Sequence, residues 1–192
     1  MRAATRKIPQ ALIYEMVDGK PIYYRGYRAF MRGERQIEEL MASSYLQGLI
    51  VARLIILLGR HLDDREFVII SNEIGLQLDK KSWRAADIAV FSKSALKNVA
   101  KSNKYLPVPP ELVIEVDTKA DLEDLNNPIG YYQEKTDQLL EFGTQRVVWI
   151  FTETKKVMIA EKDEDWQIFS WGKTFSLFSE LEIDIEQLIG ED

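Results

Sequence analysis

The sequence predicts a mixed α/β (α+β) fold: a central mixed β-sheet flanked by helices, with an N-terminal hairpin and antiparallel strands near the C-terminal end. Three observations predict it. Strand-like runs stand before, between and after helical ones. Residues Asp87 to Phe151 alternate strand, helix and strand, so a βαβ crossover is expected near the middle of the chain. The 192 residues, 46% hydrophobic and 29% charged, suffice for a single domain, 1–192, with a sizeable core.

The elements follow in chain order. Tyr14–Tyr24 (YEMVDGKPIYY) reads as a hairpin, because Asp18-Gly19 is a two-residue turn signal between two apolar runs. A charged stretch continues to Arg35. From Gln36 to Leu62 a helix is expected, with Leu40, Ser44, Gln47, Val51, Leu54, Leu58 and Leu62 along one side. Leu49, Ile50, Ile55 and Ile56 make much of its remaining surface apolar, which predicts burial on several sides. Strands are expected at Phe67–Ile70, Ile74–Leu78 and Asp87–Phe91, then a short helix over Ser94–Ala100. A proline-rich entry leads to a core strand, Leu112–Val116. Asn126 or Asn127 caps the next helix with Pro128 at its first position, and Gly143 stops it after Phe142. Val147–Phe151, Val157–Glu161 and Trp166–Ser170 form the terminal strands, joined by the polar loops TETKK and KDED. Leu181–Ile189 reads as a short closing helix.

Composition excludes several chemistries. Without cysteine there is no disulfide, thiolate catalysis or zinc–thiolate site, and one histidine, His61, cannot build a multi-histidine metal centre. There is no Gly-rich phosphate loop, no Gly-x-Ser-x-Gly elbow and no His-Glu-x-x-His. Met1–Gln10 lacks an apolar core segment, and the apolar run Leu46–Leu58 is too short to span a bilayer and is broken by Arg53. The expected protein is cytoplasmic, with no membrane partner. A net charge of −6 means that a nucleic-acid role needs local basic patches, a metal ion, or both. The densest basic segment is YYRGYRAFMRGER; if it meets phosphates, removing Arg28 and Arg32 should weaken binding and flatten its salt dependence.

The chemistry-bearing stretch is PPELVIEVDTKADL, residues 109–122. Side chains alternate along a strand, so Leu112, Ile114 and Val116 face a core while Val113, Glu115 and Asp117 share the other face. A carboxylate removed from water is costly unless paired or metal-bound. Asp87, opening the strand DIAVF beside a loop with Arg84, supplies a second carboxylate. Two such groups from adjacent strands suit magnesium or manganese. The ordinary alternative is a salt bridge from Glu115 to Lys119, Lys135 or an arginine. Glu73, opposite the Ile74, Leu76, Leu78 face, is a further candidate ligand or an exposed strand acid.

These pieces resemble the PD-(D/E)xK nuclease superfamily, and more closely a large bacterial group of uncharacterised restriction-endonuclease-like proteins. The resemblance spans about residues 12 to 170 and rests on YEMVDGK, ADIAVF, PPELVIEVDTK and QEKTDQLLEFGTQRVVWIF. It implies a restriction-endonuclease-like fold and a metal-dependent endonuclease acting on DNA, with Mg2+ or Mn2+ on Asp87 and Glu115. Asp117 and Glu73 are further metal candidates. Ala86 stands where the superfamily has proline, and Asp117 where it has lysine. In the closer group that lysine has usually moved to the following helix, where Lys135 matches; Lys119 competes because it is nearer Glu115. Ile129, Tyr132, Thr136, Leu139 and Leu140 form that helix's apolar stripe, with Lys135 at its edge. An edge lysine contributes little to packing, so its removal should change stability by no more than about 0.5 kcal/mol. An enzyme that cuts both strands would use a symmetric homodimer. The competing function is a catalytically inactive module on the same fold, binding nucleic acid or a protein.

Overall fold

The structure is a computed structural model and describes residues 7–123 and 128–190. The hairpin forms as expected: β1 (Ile13–Val17) and β2 (Lys20–Tyr23) pair antiparallel around Asp18-Gly19. Both turn residues have positive φ, 51° and 75°, which glycine and aspartate tolerate best in a two-residue turn. The charged stretch contains a short helix that the pattern did not show, α1 (Tyr27–Met31).

The long helix is broken in two. A short α2 (Ile37–Met41) precedes α3 (Tyr45–His61), because Ser44 adopts extended backbone and its side chain accepts the Gln47 amide as an N-cap. Burial of α3 is one-sided. Gln47, Ile50, Leu54 and Leu58 are buried, while Ile56 is half exposed, so the expected burial on several sides is not found.

The two expected strands after α3 are one, β3 (Phe67–Gln77), paired with β4 (Trp83–Ser92) throughout. A bulge at Asn72-Glu73 is what made them read as separate; both residues have positive φ. β4 begins four residues before Asp87, so Asp87 lies within a strand and Arg84 is not in a loop. The helix after β4 is shorter than expected, α4 (Lys93–Leu96).

The central crossover is present: β5 (Leu112–Val116), α5 (Pro128–Phe142) and β6 (Arg146–Phe151), with β5 and β6 parallel. Gly143, at φ 117°, ends α5; the cap expected at Asn126 or Asn127 lies outside the described residues. β7 (Lys156–Glu161) and β8 (Gln167–Ser170) continue the sheet antiparallel, giving the order β2-β1-β4-β5-β6-β7-β8 with β3 on β4. Where a single closing helix was expected, a hairpin of β9 (Phe175–Phe178) and β10 (Leu181–Ile183) precedes a shorter α6 (Ile185–Gly190).

The sheet is buried on both faces. One face packs Ile88, Ile114, Val116 and Val148 against Leu54 and Leu58 of α3, with β9, β10 and α6 closing that side. The other packs Ala89, Val113 and Trp149 against Tyr131 and Leu139 of α5. Glu115 belongs to this second face by alternation along β5.

β4 has one edge filled by β3. Its other edge is shared end to end: Trp83 pairs with Met16 of β1, and Ile88 to Val90 pair with β5. Asp87 therefore sits where β1 gives way to β5. It also lies opposite the β3 bulge, since Ser71 pairs with Ile88 and Ile74 with Ala86. The site is built at this discontinuity.

Candidate functional site: a buried charge cluster at the junction of β1, β4 and β5

The pairs Ile88–Ile114 and Ala89–Val113 set the register, and one step further it brings Asp87 opposite Glu115. The strand-face argument thus holds for these two acids. Glu115 is 1% exposed, and its Oε2 has no hydrogen-bond partner. Asp87 Oδ2 accepts the Val116 amide at 2.8 Å. Burial pushes Asp87 above the usual carboxylate range, and the Val116 amide offsets part of that. Burial also pushes Glu115 up to about 8; Lys135 opposes this, and Asp87 adds to it.

Lys135 is fully buried, not at a helix edge. The inward side of α5 carries Tyr131, Lys135, Thr136, Leu139 and Leu140, whereas Ile129 is 65% exposed. Thr136 fixes this rotation by accepting the Trp149 indole N–H at 2.9 Å. The Lys135 ammonium lies 2.9 Å from Glu115 Oε1 and 2.7 Å from Glu15 Oε1. It also stands 5.3 Å from the centre of the Trp149 ring and 5.6 Å from that of Tyr14, near enough for cation–π attraction. Burial disfavours the ammonium, but Glu115 and Glu15 together outweigh that and hold Lys135 charged.

Glu15 is the participant that sequence reasoning missed. It is fully buried and pairs with Arg84 at 2.7 Å, accepts the Tyr131 hydroxyl at 2.9 Å, and takes the Ala85 amide at 3.2 Å. Burial raises its pKa, yet Lys135 and Arg84 more than offset that and keep Glu15 ionised. Its signal was present: an acid inside an apolar hairpin strand, YEMV, has the same pattern that singled out Glu115. Glu15 fixes the ammonium from the hairpin side, so the first element of the chain helps position Lys135.

The other candidates lie apart from this centre. Asp117 adopts φ 58°, and its carboxylate accepts both the Thr152 amide, at 2.8 Å, and the Thr152 hydroxyl, at 2.6 Å. It ties the ends of β5 and β6 together and is not gathered with Glu115. Glu73, turned by the bulge, accepts the Tyr24 hydroxyl at 2.8 Å and pairs with Lys119. Lys119 also donates to the Met41 carbonyl at 2.9 Å. Their charges still reach Asp87, Lys119 lowering its pKa and Glu73 raising it. This pair stands at the mouth of the cluster, 14% and 26% exposed.

A divalent ion fits this arrangement. Glu15 and Asp87 balance Arg84 and Lys135, and Glu115, pushed up to about 8, holds near pH 7 a proton that a bound cation would displace. Glu115 Oε2, which has no partner, and Asp87 form a hard-oxygen pair of the type that holds magnesium with water and phosphate completing its shell. Among the described residues no three His, Cys, Asp or Glu side chains gather into an all-protein metal cage.

The basic segment reads differently once folded. Arg28 pairs with Asp121 at 3.0 Å and Arg32 with Glu34 at 2.6 Å. Both guanidinium groups are already neutralised. Replacing both with alanine is therefore expected to leave the slope of DNA affinity against salt within about one unit, roughly one phosphate contact. Titrations from low to moderate salt measure this. A slope flattened by two units would make the segment a phosphate-binding face.

Among the described residues no helix is long and apolar enough to cross a membrane. No curated protein matches the chain. Its fold is similar to the crystal structure of a putative nuclease belonging to DUF820 from Anabaena variabilis. That match has TM-score 0.67 and 15% identity, and covers 92% of this chain and 89% of that one. A family model, Uma2, described as "Putative restriction endonuclease", matches residues 29–186, a span that contains Asp87, Glu115 and Lys135. By that match the chain belongs to the Uma2 family, and its fold is restriction-endonuclease-like.

Proposed function

We propose that the protein is a metal-dependent endonuclease that hydrolyses phosphodiester bonds of DNA, with Asp87 and Glu115 holding Mg2+ or Mn2+. One observation carries this reading: Glu115 is buried opposite Asp87, with the Lys135 ammonium against Oε1 and no partner on Oε2. A divalent ion bound there would polarise the scissile phosphate and lower the pKa of an attacking water. Lys135 supplies a fixed positive charge for the negative charge that grows on the phosphoryl group. Glu15, anchored by Arg84, sets the position of that ammonium. Lys119, at the mouth, is placed to meet a phosphate before it reaches the acids. The family to which the chain belongs supports the nuclease class.

The competing reading is an inactive module on the same fold. Closure of the cluster favours it, since Glu15, Glu115 and Lys135 are each at most 1% exposed. Nicking of supercoiled plasmid separates the two. The wild type is expected to nick with manganese or magnesium and to stop when the ion is chelated. Asp87→Asn is expected to lose at least about a hundredfold in rate, since it removes a charged ligand. No metal-dependent nicking by the wild type would select the inactive module, and full activity in Asp87→Asn would remove Asp87 from the metal site.

A further inference from the structure

We propose that the sheet face beyond α5 is a binding groove for an unpaired nucleic-acid strand. The inference takes nucleic acid from the nuclease reading and adds the form in which it binds. Glu115 is in register with Trp149, Trp149 with Met158, and Met158 with Ile168, so one row of side chains crosses β5, β6, β7 and β8. α5 covers the inner end of this row, where Glu115 and Trp149 are buried. The outer end is open: Ile168 is 67% exposed. Between them lies a groove of about 910 Å³, floored by Phe151, Met158 and Ile168 and walled by Tyr132 and Ile129 of α5 and by Trp166. An exposed apolar and aromatic face of this kind marks a binding surface.

Cations are interspersed with the apolar lining. Arg25, Arg35, Lys119 and Lys156 line the groove against Glu39, Asp117 and Glu153, so cations lead four to three on a chain with 31 acids and 25 lysines and arginines. Lys119 is ion-paired with Glu73, and Asp117, whose Thr152 donors are neutral, keeps its charge, so the lining as a whole is close to neutral. Arg25 donates to the Thr118 carbonyl and Lys156 to the Ser170 hydroxyl, and these neutral partners leave both charges uncompensated. A ligand with flat apolar faces and an anionic backbone matches both features. In a duplex the base faces are stacked inside, and the outside offers phosphates, sugars and base edges. In a single strand the bases are free to lie on aromatic and aliphatic side chains while the phosphates meet the cations. Asp117, Thr118 and Lys119 line the groove and directly follow Glu115, so a strand lying there passes the end of β5.

The test uses the full chain with metal chelated, so that binding is read without cleavage. Fluorescence anisotropy compares a labelled oligothymidine with a blunt duplex of equal nucleotide count. The wild type is expected to bind the single strand more tightly. Ile168→Glu and Arg35→Glu, at exposed positions that leave the fold intact, are each expected to weaken single-strand binding about tenfold, the loss of roughly one stacked base or its equivalent. Thermal melts confirm that both variants are folded. Tighter binding of the duplex, no binding of either probe, or wild-type affinity in both variants would overturn the groove. These outcomes do not touch the nuclease reading, which stands or falls on metal-dependent plasmid nicking. A protein that fails to nick still reports single-strand binding here.

Discussion

Lys135→Met is expected to lower stability by about 3 kcal/mol at pH 7 and to abolish metal-dependent cleavage. Methionine reproduces the unbranched stem, so packing against Tyr14 and Trp149 survives and the loss is one of charge. Removing one side of a buried ion pair costs about 3–5 kcal/mol, because the partner is left uncompensated. The lower end applies here for two reasons. Glu15 keeps Arg84, the Tyr131 hydroxyl and the Ala85 amide. Glu115, pushed up to about 8 by burial, already holds a proton at pH 7 and is not left as a bare charge. A second substitution separates charge from chemistry. Adding Glu115→Gln to Lys135→Met is expected to change stability little further at pH 7, because a protonated Glu115 carries no charge to remove, while cleavage stays absent. Urea melts of the wild type, both single variants and the double variant read the coupling directly. A Lys135→Met protein as stable as the wild type would mean that the ammonium is not held by the two acids. Full cleavage by the same variant would pass its role to Lys119.

The expectation of about 0.5 kcal/mol for that substitution fails for an identifiable reason. Helical periodicity gives the apolar stripe, and a lysine next to an apolar stripe normally reaches water. In α5 the stripe is rotated towards Tyr131 and Lys135 and away from Ile129, because two acids beneath the helix compensate a buried ammonium. One acid, Glu115, was visible from strand alternation; the other comes from a hairpin 120 positions before Lys135 in the chain. Local pattern cannot show that β1 and β5 share one edge of β4. The same limit explains Arg84. Read as part of a loop beside Asp87, it had no assigned role; within β4 and facing Glu15 it is a buried counter-charge. Asp117 shows the opposite error. Strict alternation places it beside Glu115, but β5 ends at Val116 and a left-handed turn sends Asp117 to Thr152 instead.

What was legible had local causes. Asp18-Gly19 demanded a turn, Gly143 ended a helix, and the run LVIEV read as a core strand, which the structure buries on both faces. What was hidden depended on irregularities. The bulge at Asn72-Glu73 looked like a gap between strands, yet it is the feature that lies opposite Asp87 and turns Glu73 towards Tyr24 and Lys119. The break at Ser44 looked like one more position on a helix face, yet it shapes one wall of the groove. Both irregularities fall at the site, where departures from regular structure are most often placed.

The thermal shift produced by manganese is expected to be small at pH 6 and to grow up to about pH 8. Burial raises Glu115 from 4.5 to about 8, so the metal-free fold holds a proton there that the unfolded chain has released. The sign follows. A raised carboxylate favours folding fully at pH values below 4.5, and that contribution is lost as pH rises through the window from 4.5 to 8, by about 1.4 kcal/mol per unit. A divalent ion needs the ionised oxygen and must displace this proton. Its apparent affinity should therefore rise about tenfold per pH unit until about 8 and then level off. At pH 8, with the ion at about 100 times Kd, the fold gains roughly 2.7 kcal/mol, or several degrees at about 2–4 °C per kcal/mol. At pH 6 the same concentration is near Kd, and the gain falls to about 0.4 kcal/mol. Asp87→Asn should lose most of the shift at every pH. Glu115→Gln should lose both the shift and the alkaline destabilisation, and so be more stable than the wild type at pH 9 without metal. The measurement is a set of melts of the three proteins at pH 6, 7, 8 and 9, with and without manganese. Equal shifts at pH 6 and pH 8 would show that no proton is displaced from Glu115. A shift that survives in Asp87→Asn would place the ion elsewhere.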